Sequence, residues 1–127
     1  MSGEELISIM RATFGKLRDD PTVKAAIMGW EKTLQFEATD IEAYWYIETY
    51  GGELTFHEGR AESPDITLSG TGENLEGLIA GTLQPMTALM SGAIRVSGAM
   101  TELMRLSSIM EPLKNAYMEA KREFGGT

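Results

Sequence analysis

The sequence predicts an α+β (α/β) fold in which one five-stranded sheet carries helices on a single face. Hydrophobic residues recur every three to four positions at both ends of the chain and every two positions in its middle, which are the spacings of helices and strands. Each predicted strand has one apolar and one polar face, as in a sheet covered on one side. The length of 127 residues suits a single domain over residues 1–127.

Residues 1–30 are predicted to form the N-terminal helices. Ser2 and Glu5 have the spacing of a capping box, in which each side chain bonds to the backbone of the other residue. Asp20 followed by Pro21 predicts a second helix start, because aspartate caps a helix and proline suits its first position. That second helix is expected to end at Gly29.

Residues 31–69 are predicted to form a region of four strands. Apolar and polar residues alternate over residues 32–38, 42–49, 53–58 and 65–69. Gly51 and Gly52 separate the second strand from the third and are typical of a hairpin turn that requires positive φ. In the second strand Trp45 is predicted on the apolar face, while Tyr44 and Tyr46 are predicted on the polar face.

The rest of the chain returns largely to helical spacing. Two helices are predicted over residues 71–92, a fifth strand over residues 93–97, and a C-terminal helix or helices over residues 99–124. A single helix over the last range would be about 39 Å long, which is comparable with the whole domain. Pro112 is therefore expected to kink or restart it.

Composition and charge exclude several classes of function. The chain has no cysteine and one histidine, His57, which removes disulfides, thiolate metal sites and most catalytic triads. The net charge of −8 opposes contact with nucleic acid phosphates, so no nucleic acid partner is expected. No cofactor and no metal site are predicted, because no phosphate-binding or zinc-binding motif occurs.

The acidity is concentrated in the predicted sheet. Residues 37–76 contain ten acidic residues and one arginine, a net charge of −9. One interpretation is a solvated face that protects the sheet edges from pairing with other chains. The alternative is a docking face for a second copy or for another protein, with Tyr44 and Tyr46 as anchors, because tyrosine is enriched at interfaces. Ordinary cross-strand pairing explains these two tyrosines equally well.

Three side chains are candidates for catalysis, and none is favoured. His57 is predicted on the polar sheet face, and the sequence identifies no partner that would make it a general base. Asp65 is interpreted as the start of a strand, where its carboxylate bonds backbone groups. Glu48 completes the set as a carboxylate for an isomerase or hydrolase. We expect no enzyme activity.

The methionines allow two interpretations. Five of the nine fall within 25 residues around the predicted fifth strand, at positions Met86, Met90, Met100, Met104 and Met110. Methionine fills irregular gaps in an ordinary core. A dense methionine cluster is also typical of a cavity that repacks around apolar ligands of variable shape.

Two runs of sequence carry a family resemblance. The chain has PDITLS at residues 64–69 and GTLQPMTALMSGAIRVSGAM at residues 81–100. These runs resemble the sterol carrier protein 2 (SCP2) domain family, whose pattern is a PDVTL strand, a helix and then GKLNPMTAFMSGKLKIKGDM. The resemblance is strongest over residues 64–106, and the strands before it fit the family's order.

The resemblance implies a five-stranded mixed sheet, helices packed on one face, and an apolar tunnel between them. It also implies non-catalytic binding or transfer of a sterol, fatty acid, isoprenoid or similar lipid, with only transient membrane contact. The family's lysines are replaced by Thr82, Ala93 and Ser97, which favours a neutral lipid, free fatty acid or isoprenoid over acyl-CoA. The expected lipid-binding residues are Phe36, Trp45, Ile47, Phe56, Met86, Leu89, Met90, Met100, Leu103 and Met104.

Three further expectations concern location, an alternative function and ligand entry. Glu4 and Glu5 stand where a secretory signal requires positive charge, so a cytoplasmic location is expected. The alternative function is that of an accessory or scaffold subunit, which would dock an enzyme of lipid or quinone biosynthesis through the acidic sheet face. Residues 81–92, interrupted by glycine, are expected to gate the tunnel.

Overall fold

The computed structural model describes residues 1–98 and 100–125, with the side chains of residues 100, 103 and 104 outside the description. The helices are α1 (Gly3–Leu17), α2 (Pro21–Ile27), α3 (Gly72–Ala80), α4 (Pro85–Ser91), α5 (Leu103–Ser107) and α6 (Met110–Gly125). The strands are β1 (Thr33–Ala38), β2 (Ala43–Tyr50), β3 (Glu53–Glu58), β4 (Ile66–Gly70) and β5 (Ile94–Gly98). A short 3₁₀ turn, Met100–Glu102, precedes α5.

The five strands form one mixed sheet in the order β3-β2-β1-β4-β5. Strand β1 pairs antiparallel with β2 and parallel with β4, while β3 and β5 pair antiparallel at the two edges. The loop after β3 returns the chain to the start of β1. There the Asp65 backbone N–H donates to the Thr33 carbonyl (2.9 Å), and the Thr33 N–H donates to the Asp65 carboxylate (2.8 Å). The predicted fold class is confirmed.

Local capping fixes the starts of the first two helices. The Ser2 hydroxyl accepts a hydrogen bond from the Glu5 backbone N–H (3.2 Å), which completes the predicted capping box of α1. The Asp20 carboxylate accepts hydrogen bonds from Thr22 and Val23 at the start of α2. In the C-terminal region the helical segment divides between α5 and α6, and Pro112 lies in the first turn of α6.

Strand β5 extends one residue further than the alternation of apolar residues predicts. It covers Ile94–Gly98 and ends at Gly98, which pairs with Ile66 of β4. At Gly98 φ is +109°, and a Cβ there would lie 2.2 Å from the Asp65 carbonyl oxygen. The two strands therefore approach more closely than any side chain at this position would allow, and only glycine fits.

Helix α1 packs against the β1–β2–β3 half of the sheet through aromatic side chains. The ring of Phe14 lies 6.0 Å from that of Phe36 and 6.1 Å from that of Phe56. Phe36 in turn stacks on Trp45 at 5.5 Å. Trp45 is fully buried. These four residues are called the aromatic core below, and this half of the molecule is close-packed.

A polar cluster joins α3 to α6. Glu76 of α3 accepts hydrogen bonds from the Tyr117 hydroxyl and from Lys121 Nζ (2.8 Å), both on α6. Burial and the bond to Glu76 raise the pKa of Tyr117 to about 12. Burial alone would raise the pKa of Glu76, but the bonds from Lys121 and Tyr117 lower it from its ordinary value. The cluster holds together two helices that contribute to the cavity described next.

Candidate functional site

An apolar cavity of about 470 Å³ lies at the β5 end of the sheet, on the face that the helices cover. This volume is in the range of small-molecule sites, about 300–1,000 Å³. The sheet contributes its floor and helices α3 to α6 contribute its walls. The lining consists of Leu68, Leu78, Gln84, Pro85, Met86, Ala88, Leu89, Ile94, Val96, Leu106, Ser107 and Met110. Ten of these twelve side chains are apolar, so the cavity suits a hydrocarbon.

Helix α4 forms the outer wall, and its sequence explains its position. Glycines in the left-handed conformation lie on either side of it, Gly81 (φ +81°) ending α3 and Gly92 (φ +79°) ending α4. Ala88 is buried towards the cavity, whereas Met86 and Met90 are 67% and 83% exposed. The cavity therefore opens to solvent beside this short, uncharged helix.

Helix α5 forms the facing wall and is fastened by polar contacts. The carboxylate of Glu102, immediately before α5, accepts a hydrogen bond from the Trp30 indole N–H and lies 3.8 Å from Lys32 Nζ. The guanidinium of Arg105 donates to the Ala26 carbonyl oxygen (3.1 Å). These contacts attach the wall to α2 and to the segment between α2 and β1.

The structure divides the residues that were predicted to bind lipid. Met86 and Leu89 line the cavity. Phe36, Trp45 and Ile47 are buried in the close-packed half of the sheet and are not among the lining residues. Phe56 contacts Phe14 in the same aromatic core. Met90 is exposed and outside the lining. The predicted residues Met100, Leu103 and Met104 have side chains outside the described part of the chain.

Ten of the twelve lining residues are not among the residues that were predicted to bind lipid. Leu68, Ile94 and Val96 are the inward residues of β4 and β5, and their alternation is visible in the sequence. Leu78, Leu106 and Met110 come from the flanking helices. The missing information was the strand order, in which β1 and β4 separate β2 from β5 and from the methionine-rich segment around it. The cavity described here is open to solvent, and the tunnel that the resemblance implies stays an expectation.

The outer sheet face carries a second group of side chains. His57 Nε2 lies 2.8 Å from the Glu48 carboxylate, and its ring stacks on Tyr46 at 4.8 Å. The guanidinium of Arg60 lies over the Tyr44 ring at 4.0 Å. The pairing of Tyr46 with His57 across β2 and β3 gives the histidine the partners that the sequence did not identify. Within the described residues, no three His, Asp or Glu side chains are grouped to hold a metal ion.

The one-sided sheet and its apolar cavity define a small α+β ligand-binding domain. A sequence model of the SCP-2 sterol transfer family matches residues 13–111. The chain belongs to this family, whose general function is lipid binding or transfer. No curated protein sequence matches the chain significantly.

Solved structures share the fold at low sequence identity. The protein TT1886 of Thermus thermophilus, described as a candidate sterol carrier protein, is 19% identical with a TM-score of 0.65, and the match covers 88% of this chain and 85% of that one. A ubiquinone synthesis protein, UbiJ-SCP2, is 18% identical with a TM-score of 0.62, and the match covers 88% of both chains.

A larger enzyme contains a similar unit. The inverting sec-alkylsulfatase Pisa1 of Pseudomonas sp. is 21% identical over 69% of this chain, with a TM-score of 0.59. The match spans only 14% of the sulfatase chain.

In the part of this chain that is described, no helix has the length and hydropathy needed to cross a membrane.

Proposed function

We propose that this chain binds an apolar lipid without catalysis and transfers it, and that the lipid's hydrocarbon part occupies the cavity beneath α4. The observation that carries the proposal is the cavity itself, which combines apolar walls with an opening to solvent. Its floor is formed by Ile94 and Val96 of β5. Family membership supports the same class of ligand.

The expected affinity follows from the number of methylene groups that the lipid buries in the cavity. Each buried methylene contributes about 0.8 kcal/mol, so a chain of about fifteen methylenes contributes about 12 kcal/mol. Loss of translational and rotational freedom costs at least about 4 kcal/mol, which leaves a Kd near the micromolar range. Affinity of this size allows a carrier to release its ligand again.

Entry of the lipid requires movement of a wall, and α4 is suited to move. Gly81 and Gly92 at its two ends are the positions where the backbone can change direction most readily. Met86 and Met90 present an exposed apolar surface at the opening. We expect these two side chains to make the transient membrane contact through which a lipid is exchanged.

Native mass spectrometry of the purified protein, followed by solvent extraction, is expected to show a co-purified lipid. Stripped protein is then titrated with a fluorescent sterol and with a fluorescent fatty acid, and at least one is expected to bind in the micromolar range. The proposal is wrong if no lipid co-purifies and neither probe binds.

A second candidate function is docking to another protein through the outer sheet face. Two observations favour it: the structural likeness to UbiJ-SCP2, a ubiquinone synthesis protein, and the half-buried tyrosines Tyr44 and Tyr46 on a strongly acidic segment. Under this candidate the chain is an accessory subunit for an enzyme of lipid or quinone biosynthesis. Arg60 lies over Tyr44 and His57 stacks on Tyr46. A docked partner would therefore contact the parts of these two rings that Arg60 and His57 leave uncovered.

Replacing both tyrosines, Tyr44→Ala with Tyr46→Ala, is expected to dissociate such a complex while lipid binding is retained. The reason is that aromatic side chains that become buried on binding supply much of the binding energy of an interface. The measurement is the sedimentation of the chain in an extract of its native host. The control is Phe124→Ala, because Phe124 is an exposed aromatic residue on α6 and not on the sheet. A wild-type chain that sediments as free protein excludes this candidate.

A further inference from the structure

We infer that the cavity selects lipids whose head group is a neutral oxygen, an alcohol or a carbonyl, over carboxylates with the same hydrocarbon chain. This inference rests on the proposed function and assigns Gln84 as the residue that meets the head group. It is carried by the charge of the lining, by the position of Gln84, and by the placement of nearby basic side chains.

The lining has polar side chains at two positions and charged side chains at none. Gln84 and Ser107 are the polar members, and the described lining residues include no lysine, arginine or histidine. A carboxylate placed against this lining loses part of its hydration without gaining a counter-ion. A hydroxyl or carbonyl loses far less hydration free energy, and one hydrogen bond to the protein replaces most of that loss.

Gln84 is placed at the opening of the cavity. It is exposed, it precedes the first residue of α4, and its side chain makes no capping hydrogen bond there. No hydrogen bond of its side-chain amide to another described residue is found. An amide group both donates and accepts hydrogen bonds. The Gln84 amide can therefore bond to a hydroxyl, which donates or accepts a hydrogen bond, and to a carbonyl, which only accepts one.

The basic side chains on the elements around the cavity lie elsewhere. Arg95 of β5 is exposed and alternates with the inward residues Ile94 and Val96, so it belongs to the outer face. Arg105 of α5 is bonded to the Ala26 carbonyl. The aliphatic part of Lys114 lies against Gly81, and Lys114 is outside the lining. Lys121 is paired with Glu76.

The experiment compares two ligands that differ only in the head group. Stripped protein is loaded with the neutral dye Nile red, which hexadecanol or palmitate then displaces at pH 8. Hexadecanol is expected to compete about tenfold better than palmitate, because the carboxylate remains ionised and without a counter-ion. In Gln84→Lys the ammonium at the opening is expected to increase the affinity for palmitate about tenfold. A charge-assisted hydrogen bond to the carboxylate contributes about that factor.

Thr87→Lys is the matched control, because Thr87 is also exposed on α4 and lies outside the lining. It adds the same charge close to the same helix. Hexadecanol is still expected to displace the dye better than palmitate does. Equal or better competition by palmitate in the wild-type protein would overturn the inference and leave the proposed function standing. Equal gains from both lysine variants would also overturn it, because a general charge effect would then explain them. If neither ligand displaces the dye, both the inference and the proposed function fail.

Discussion

Ala88→Phe is expected to weaken lipid binding by about 100-fold or more while the protein remains folded. Ala88 is buried and borders the cavity, so a phenyl ring there extends into the space that the lipid would occupy. Displacing about four methylenes removes about 3 kcal/mol of burial, a factor of about 200 in Kd. The measurement is titration of stripped protein with a fluorescent sterol, alongside thermal unfolding.

The control is Met90→Phe, two residues along the same helix. Met90 is 83% exposed and outside the lining, so the same phenyl ring is expected to leave the equilibrium affinity unchanged. Ala88→Leu is expected to cause a smaller loss than Ala88→Phe, because its side chain fills less of the cavity. Wild-type affinity in both Ala88 variants would show that the lipid binds elsewhere.

Phe14→Ala is expected to destabilise the protein by about 3–5 kcal/mol, the usual range for removal of a buried phenylalanine. The ring of Phe14 joins α1 to both Phe36 and Phe56 in the aromatic core, and Phe14 is not among the lining residues. Chemical denaturation gives the free energy of unfolding. In conditions where the variant is folded, its lipid affinity is expected to equal that of the wild-type protein.

Met118→Ala is the stability control, because Met118 is half exposed on α6 and its removal is expected to change the free energy of unfolding by less than about 0.5 kcal/mol. A Phe14→Ala variant that keeps its stability but loses lipid binding would return Phe36, Trp45 and Phe56 to the binding site, where the sequence-based expectation placed them.

Much of the fold can be predicted because its determinants are local. The capping box of Ser2 and Glu5 and the Asp20-Pro21 start each need only a few neighbouring residues. The one-sided burial of β2 follows from strict alternation, with Trp45 and Ile47 buried and Tyr44 and Tyr46 half buried. The sequence runs at residues 64–69 and 81–100 then lead to the family.

The candidate site is harder to predict because it depends on strand order. An inward-facing strand residue can line a cavity or pack in a core, and alternation is the same in both cases. Strands β2 and β5 lie on opposite sides of the sheet centre, so Trp45 belongs to the core and Val96 to the cavity. The partner of His57 depends on register, and the two-residue turn at Gly51 and Gly52 contains that information.

The separation of the aromatic core from the cavity has a consequence for the evolution of such a domain. Most random substitutions destabilise a protein, and function is lost once stability falls below a threshold. Here the residues that hold α1 on the sheet are not those that line the cavity. Substitutions of the incompletely buried lining residues of α4 and β5, such as Met86, Leu89 and Val96, can therefore alter the shape of the cavity at little cost in stability. In a domain divided in this way, ligand preference can change through single substitutions whose variants each remain folded.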